Sequence, residues 1–230
     1  MRETAFVLAL RLFLAPLILS ICVASQPVNA QRASEGAVEP YLRWTASQAE
    51  AVGKSMFAKS RVGSRWGRRG LKTDRAINYR LAATWFTPEI IHASARLIQL
   101  RNGLTDDETR TLVAEAEAAG DIVFMVELDA REGSGVIPSD WIAFLHAAGV
   151  QPGTTESVVG VKKPSLGEVR AFQGVRRRDW AYDRFWVVFP FVTKSGRALF
   201  SASQTQAELV VRVESKYGRV RFPVPRSIRE

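Results

Sequence analysis

Apolar positions between residues 87 and 120 recur at helical spacing, and each run is bounded by strong start and stop signals. Thr87-Pro88-Glu89 opens the first helix: Thr caps it, Pro at the first helical position needs no N–H partner, and Glu suits the positive end of the dipole. Ile90, Ile91, Ser94, Leu97 and Ile98 then form a stripe, and Asn102-Gly103 ends it. His92 falls off that stripe and is expected to face solvent. Thr105-Asp106-Asp107-Glu108 reads as a capping box, followed by Leu112, Val113, Ala116 and Ala119 up to Gly120. Two capped helices with so short a turn predict an antiparallel helix hairpin. Residues 40–58 predict one more short amphipathic helix.

Downstream the period changes to that of strands. Residues 122–128 are apolar except for Glu127, as in a strand buried on both faces, under the hairpin and against a second sheet. Residues 184–192 repeat this pattern, and Lys194-Ser195-Gly196-Arg197 predicts a turn with residues 198–200 as the return. Residues 207–214 alternate, placing Leu209, Val211 and Val213 on one face. Lys216-Tyr217-Gly218-Arg219 is read as the next turn, after which Val220, Phe222 and Val224 continue the same face. Pro223 and Pro225 lack ladder donors and place this last strand at an edge. The pattern predicts an α+β chain: an antiparallel immunoglobulin-like β-sandwich with an inserted or capping helix hairpin.

The amino terminus belongs to a different class of segment. Arg2 and Arg11 flank a thin charged start, and the apolar run 12–24, interrupted by Pro16, is too short to span a bilayer as a helix. Val28-Asn29-Ala30 then offers the small-residue pattern of a signal-peptidase site, so residues 1–30 are read as a cleaved signal peptide. Lipidation at Cys22 would require a smaller residue than Ile21 before it. The product is expected to be exported, periplasmic or secreted. Cys22 is the only cysteine, so the mature chain has none, which excludes thiolate catalysis, disulfides and Cys-ligated metal. With only His92 and His146 besides, no metal or cofactor is implied.

Charge refines this picture. The whole chain of 230 residues carries +9, but the distribution is uneven. Residues 54–80 hold nine basic residues against Asp74 alone, a net +8, whereas residues 81–130 hold nine acidic against three basic, a net −6. The domain reading is therefore a signal peptide at 1–30, an amino-terminal extension at 31–80 with a basic, flexible segment at 54–80, and a globular α+β domain at 81–230. Within the basic segment Arg61, Arg65, Trp66, Arg68, Arg69 and Lys72 are candidate contacts to an anionic surface. Export disfavours nucleic acid as the partner and points to an anionic membrane surface or another envelope protein. The plainer alternatives are a solvated linker, or an arm lying against the acidic hairpin of its own chain.

Chemically competent residues are few. Glu127, Asp129, Glu132 and Asp140 form a loose carboxylate group that suits Ca²⁺ binding, acid and base work on a sugar, or ordinary pairing with Arg131 or Arg184. Ser134 lies between glycines without a nucleophile-elbow pattern; His146 and Asp140 complete only a nominal triad with it. Trp180, Tyr182 and Arg184 alternate with charges and form a candidate ligand platform beside Arg176, Arg177 and Arg178. A core or sheet-edge place is expected for most of the tryptophans. The function read from the chain is an exported, envelope-associated, non-catalytic binding or interaction protein. Its rivals are a carboxylate-dependent secreted hydrolase and a structural partner in an envelope assembly.

Overall fold

Both hairpin helices form where their caps place them. A computed structural model describes residues 39–63, 78–131, 136–175 and 182–229. In it α2 spans Pro88–Asn102 and α3 spans Asp106–Glu117, preceded by α1 at Ala46–Ser55. Thr87 Oγ1 accepts the Ile90 N–H, and Gly103 closes α2 in the left-handed region at φ 65°, where a Cβ would be strained. Thr105 and Glu108 cap α3 reciprocally. The predicted α2 stripe is buried. Ahead of it, Ala49 of α1 and Ala93 of α2 are both fully buried, small side chains that let the two helices approach closely.

Among the described residues nine strands make two antiparallel sheets. The first has the order β1 (Phe57–Val62), β2 (Tyr79–Phe86), β3 (Ile122–Ala130), β7 (Asp183–Phe189), β6 (Val161–Lys162). The second has the order β5 (Val158–Val159), β4 (Ile142–Ala147), β8 (Gln206–Val213), β9 (Lys216–Pro223). As its unbroken apolar run predicts, β3 is buried on both faces. Phe124 packs with Trp85, Phe189 and Phe222 between the sheets, at centroid distances of 5.2, 5.7 and 5.3 Å. On the opposite face Phe86, Phe172 and Trp186 form the cluster beneath the helices. Each fully buried aromatic of this kind stabilises the fold by about 2–3 kcal/mol. Among the described tryptophans Trp85, Trp141 and Trp186 are buried, as expected.

Four expectations are corrected. Residues 54–80 are not irregular throughout, because Phe57–Val62 is β1 and Tyr79 and Arg80 begin β2, paired from Phe57 opposite Thr84 to Val62 opposite Tyr79. The ordered fold thus begins well before residue 81, with α1 already packed on α2. β1 carries no apolar strand pattern because its inward residues are Ala58, Ser60 and Val62, small enough to admit a close neighbour, while Lys59 and Arg61 point the other way. That neighbour is β9: a Cβ on Gly218 would stand 2.9 Å from Val62 Cγ2. Gly218 therefore serves close approach inside a strand and is not a turn glycine. The turn lies two residues earlier, at Glu214 and Ser215, with Val213 opposite Lys216 and Glu214 at φ 51°. The return after the 194–197 turn is a single bridge, Val192 to Ala198, and not a strand. His92 does not simply face solvent: it stacks on Tyr41 at 4.4 Å and places Nε2 3.7 Å from Glu117. The proline-bearing β9 does lie at the edge of its sheet.

One buried charge stands on the second sheet. Glu208 accepts hydrogen bonds from Arg219 at 2.9 Å and Arg221 at 3.0 Å, with His146 opposite it in register. Burial acts to raise the Glu208 carboxyl, but the hydrogen bonds and charges of Arg221 and Arg219 outweigh it and hold the group below its ordinary value. The unfolded chain then binds the proton first as pH falls, so this stabilisation is complete above the unfolded carboxyl's range and is lost on acidification through the folded value. Denaturant titrations should show stability falling more steeply below about pH 5 for the parent than for Glu208→Gln. Equal slopes would assign the acid sensitivity elsewhere.

Candidate functional site

Strand register assembles residues that are far apart in the chain. On the helix-facing side of the first sheet, Lys59, Ala82, Glu127 and Arg184 form one row across β1, β2, β3 and β7. Arg61, Arg80 and Asp129 form the next row toward the end of the sheet. Arg184 Nε donates to Glu127 Oε1 at 2.8 Å, and Arg80 Nη1 lies 3.3 Å from Asp129 Oδ2. Glu127 is buried, Asp129 is largely so, and Lys59 and Arg61 are exposed. At this end β1 stops at Val62, opposite the Tyr79 that starts β2, which in turn lies opposite Ala130 at the end of β3. Asp183, the first residue of β7, pairs with Leu128 beside them.

The candidate contact Arg61, the platform residue Arg184 and the carboxylates Glu127 and Asp129 thus share one surface. Tyr182 is half-buried just ahead of β7. Arg184 is committed to Glu127, the pairing that the plainer sequence reading anticipated. Arg65, Trp66, Arg68, Arg69, Lys72, Glu132, Ser134 and Trp180 lie outside the described residues. Asp140 is in an exposed turn before β4, apart from the other carboxylates, and its charge acts on Lys162, whose ammonium is lowered by burial and raised by Asp140. His146 is fully buried within the second sheet with Nδ1 2.9 Å from the Ala147 carbonyl, so it has no access to a substrate reached from solvent. Among the described residues no group of three or more His, Cys, Asp or Glu is placed to hold a metal ion.

Beside the charged rows lies a cavity of about 170 Å³ that sequence reasoning did not find. Its sheet wall is the row Phe57, Thr84 and Met125, with Glu127 one pleat further along β3. Its roof comes from two helix faces: Glu50, Gly53 and Lys54 of α1, and Leu97 and Arg101 of α2, each set at the spacing that shares a face. Gly174 and Val175 close the side. Gly53 is required there, since a Cβ would meet Val175 Cγ1 at 2.3 Å. The signal in the chain was a glycine in the last turn of α1, three residues after Glu50 and next to Lys54; its meaning depended on β1, which the sequence pattern concealed. Lys54 pairs with Glu50 at 3.4 Å, and Arg101 Nη1 donates to the Gly174 carbonyl at 3.0 Å.

Comparison with protein-family models, with curated proteins and with solved structures found no match.

Proposed function

We propose that this chain is an exported, non-catalytic binding protein that docks on an anionic envelope surface through the basic end of its first sheet. The observation that carries the reading is topological. At this sheet end β1 stops and β2 starts, and the sequence between them carries Arg65, Arg68, Arg69 and Lys72. Exposed Lys59 and Arg61 and half-exposed Arg80 already line that end. Exposed basic side chains at this end suit a partner with dense, diffuse negative charge. The scaffold in this reading is the pair of packed antiparallel sheets, of immunoglobulin-like character.

Geometry gives the hydrolase alternative less support. Glu127 and Asp129 are alternate residues of one strand, about 7 Å apart along it. Each turns an oxygen to its own guanidinium, and neither has a histidine beside it.

Co-sedimentation of the chain beginning at Gln31 with phosphatidylglycerol vesicles tests the proposal. Each Lys or Arg near such a surface contributes about 1 kcal/mol, so a Lys59→Gln, Arg61→Gln, Arg80→Gln triple variant should bind about a hundredfold more weakly. Binding unchanged in the triple variant would refute a role for this face.

A further inference from the structure

We infer that the cavity between α1, α2 and the first sheet is a binding site for a small zwitterion with an apolar side chain, a free α-amino acid of the size of valine to methionine. This goes beyond surface docking and stands on different residues. Size sets the first limit: about 170 Å³ is below the roughly 300–1,000 Å³ of pockets that take drug-sized ligands, which excludes nucleotides and oligosaccharides. Chemistry sets the second. Leu97 and Met125, 3% and 4% exposed, give the cavity an apolar lining with Phe57 and Val175, and Thr84 adds one hydroxyl.

Charge at the cavity is of both signs: Glu127 lies deep, and Glu50, Lys54 and Arg101 stand at the exposed rim, Lys54 paired with Glu50 at 3.4 Å. Glu127 is the one buried ionic group of its lining, 5% exposed, and among the described residues the hydrogen bond it receives goes to Oε1 from Arg184. The carboxylate is thereby fixed in orientation on a rigid central strand, ready to accept from an ammonium group. Lys54 and Arg101, both at the exposed rim, are cations that can meet a carboxylate. A purely anionic ligand would stand against Glu127, and a purely cationic one against Lys54 and Arg101. A molecule carrying both charges on one carbon, with a short apolar branch directed at Leu97 and Met125, satisfies each wall.

Calorimetric titration of the purified protein with L-valine, L-leucine and L-methionine, alongside N-acetyl-L-leucine and L-leucinamide, tests this. The free amino acids should bind, and each blocked form should bind at least about tenfold more weakly, because one charged wall is left unmatched. Glu127→Gln should weaken leucine and leucinamide alike, about tenfold, and spare N-acetyl-L-leucine; Lys54→Gln, which removes only the exposed pair with Glu50, should weaken leucine and spare leucinamide. Leu97→Phe, which fills the cavity, should abolish binding while vesicle binding persists, so failure here is distinguishable from failure of the surface reading. Absence of binding by all three amino acids, or equal binding of free and blocked leucine, would overturn the inference.

Discussion

Alanine at Gly174 is expected to destabilise the fold by about 3 kcal/mol, near the upper end of the range for overpacked sites. A Cβ there would lie 2.0 Å from the Ser94 carbonyl oxygen and 2.6 Å from Ser94 Oγ. The clash is with the backbone of α2, which cannot withdraw: Ala93, Ala95 and Leu97 on either side of Ser94 are buried. Two bonds hold the crossing in register, Val175 N–H to Ser94 Oγ at 3.2 Å and Arg101 Nη1 to the Gly174 carbonyl at 3.0 Å. Gly103 supplies the contrast, since no atom lies within 4 Å of its added Cβ. Gly103→Ala meets only the left-handed backbone cost, about 1 kcal/mol. Urea unfolding midpoints of the two variants should rank accordingly, and a Gly174→Ala protein as stable as Gly103→Ala would show that the loop and α2 do not pack as described.

Tyr79→Phe should cost about 2 kcal/mol, although it removes a single oxygen. The Tyr79 hydroxyl is fully buried between the sheets, accepting the Gly218 N–H at 2.9 Å and donating to the Val211 carbonyl at 2.7 Å. Burial, set against the Gly218 hydrogen bond, pushes its ionisation up to about 12. This one group ties the start of β2 to the β8–β9 hairpin and, with Val62 and Leu81, crowds the place a Cβ on Gly218 would take. Val211 and Gly218 are partners in register, so direct bonding between them is the competing outcome. A loss under about 0.5 kcal/mol by chemical denaturation would show that they satisfy each other once the oxygen is gone.

Elements with local, self-contained signals were legible from the chain. Thr87, Pro88 and Asn102-Gly103 bracket α2, and Thr105 with Glu108 starts α3, because capping is chemistry among residues three or four apart. β3 could be read because a central strand buried on both faces becomes a nearly continuous apolar run, and β7 because residues 185–189 are all apolar, although Phe185 and Val188 are only partly buried. β1 could not, since the tight approach of β9 demands small inward residues and the outward face is charged. The same tertiary contact made Gly218 resemble a turn glycine. At the site, the Arg184 to Glu127 pair was anticipated as one of two options, while Arg80 to Asp129 depended on strand register. The cavity was invisible, because its walls come from five separate stretches and no one of them carries a motif.

The most direct measurement is the salt dependence of vesicle binding by the chain beginning at Gln31. Docking through clustered Lys and Arg predicts strong binding to phosphatidylglycerol vesicles at about 50 mM salt, where screening lengths exceed 10 Å, and a loss of at least about tenfold by 300 mM. Phosphatidylcholine vesicles should bind weakly throughout. Equal affinity for the two lipids, or phosphatidylglycerol binding that does not change with salt, would contradict the assignment of the basic sheet end as an anionic docking surface.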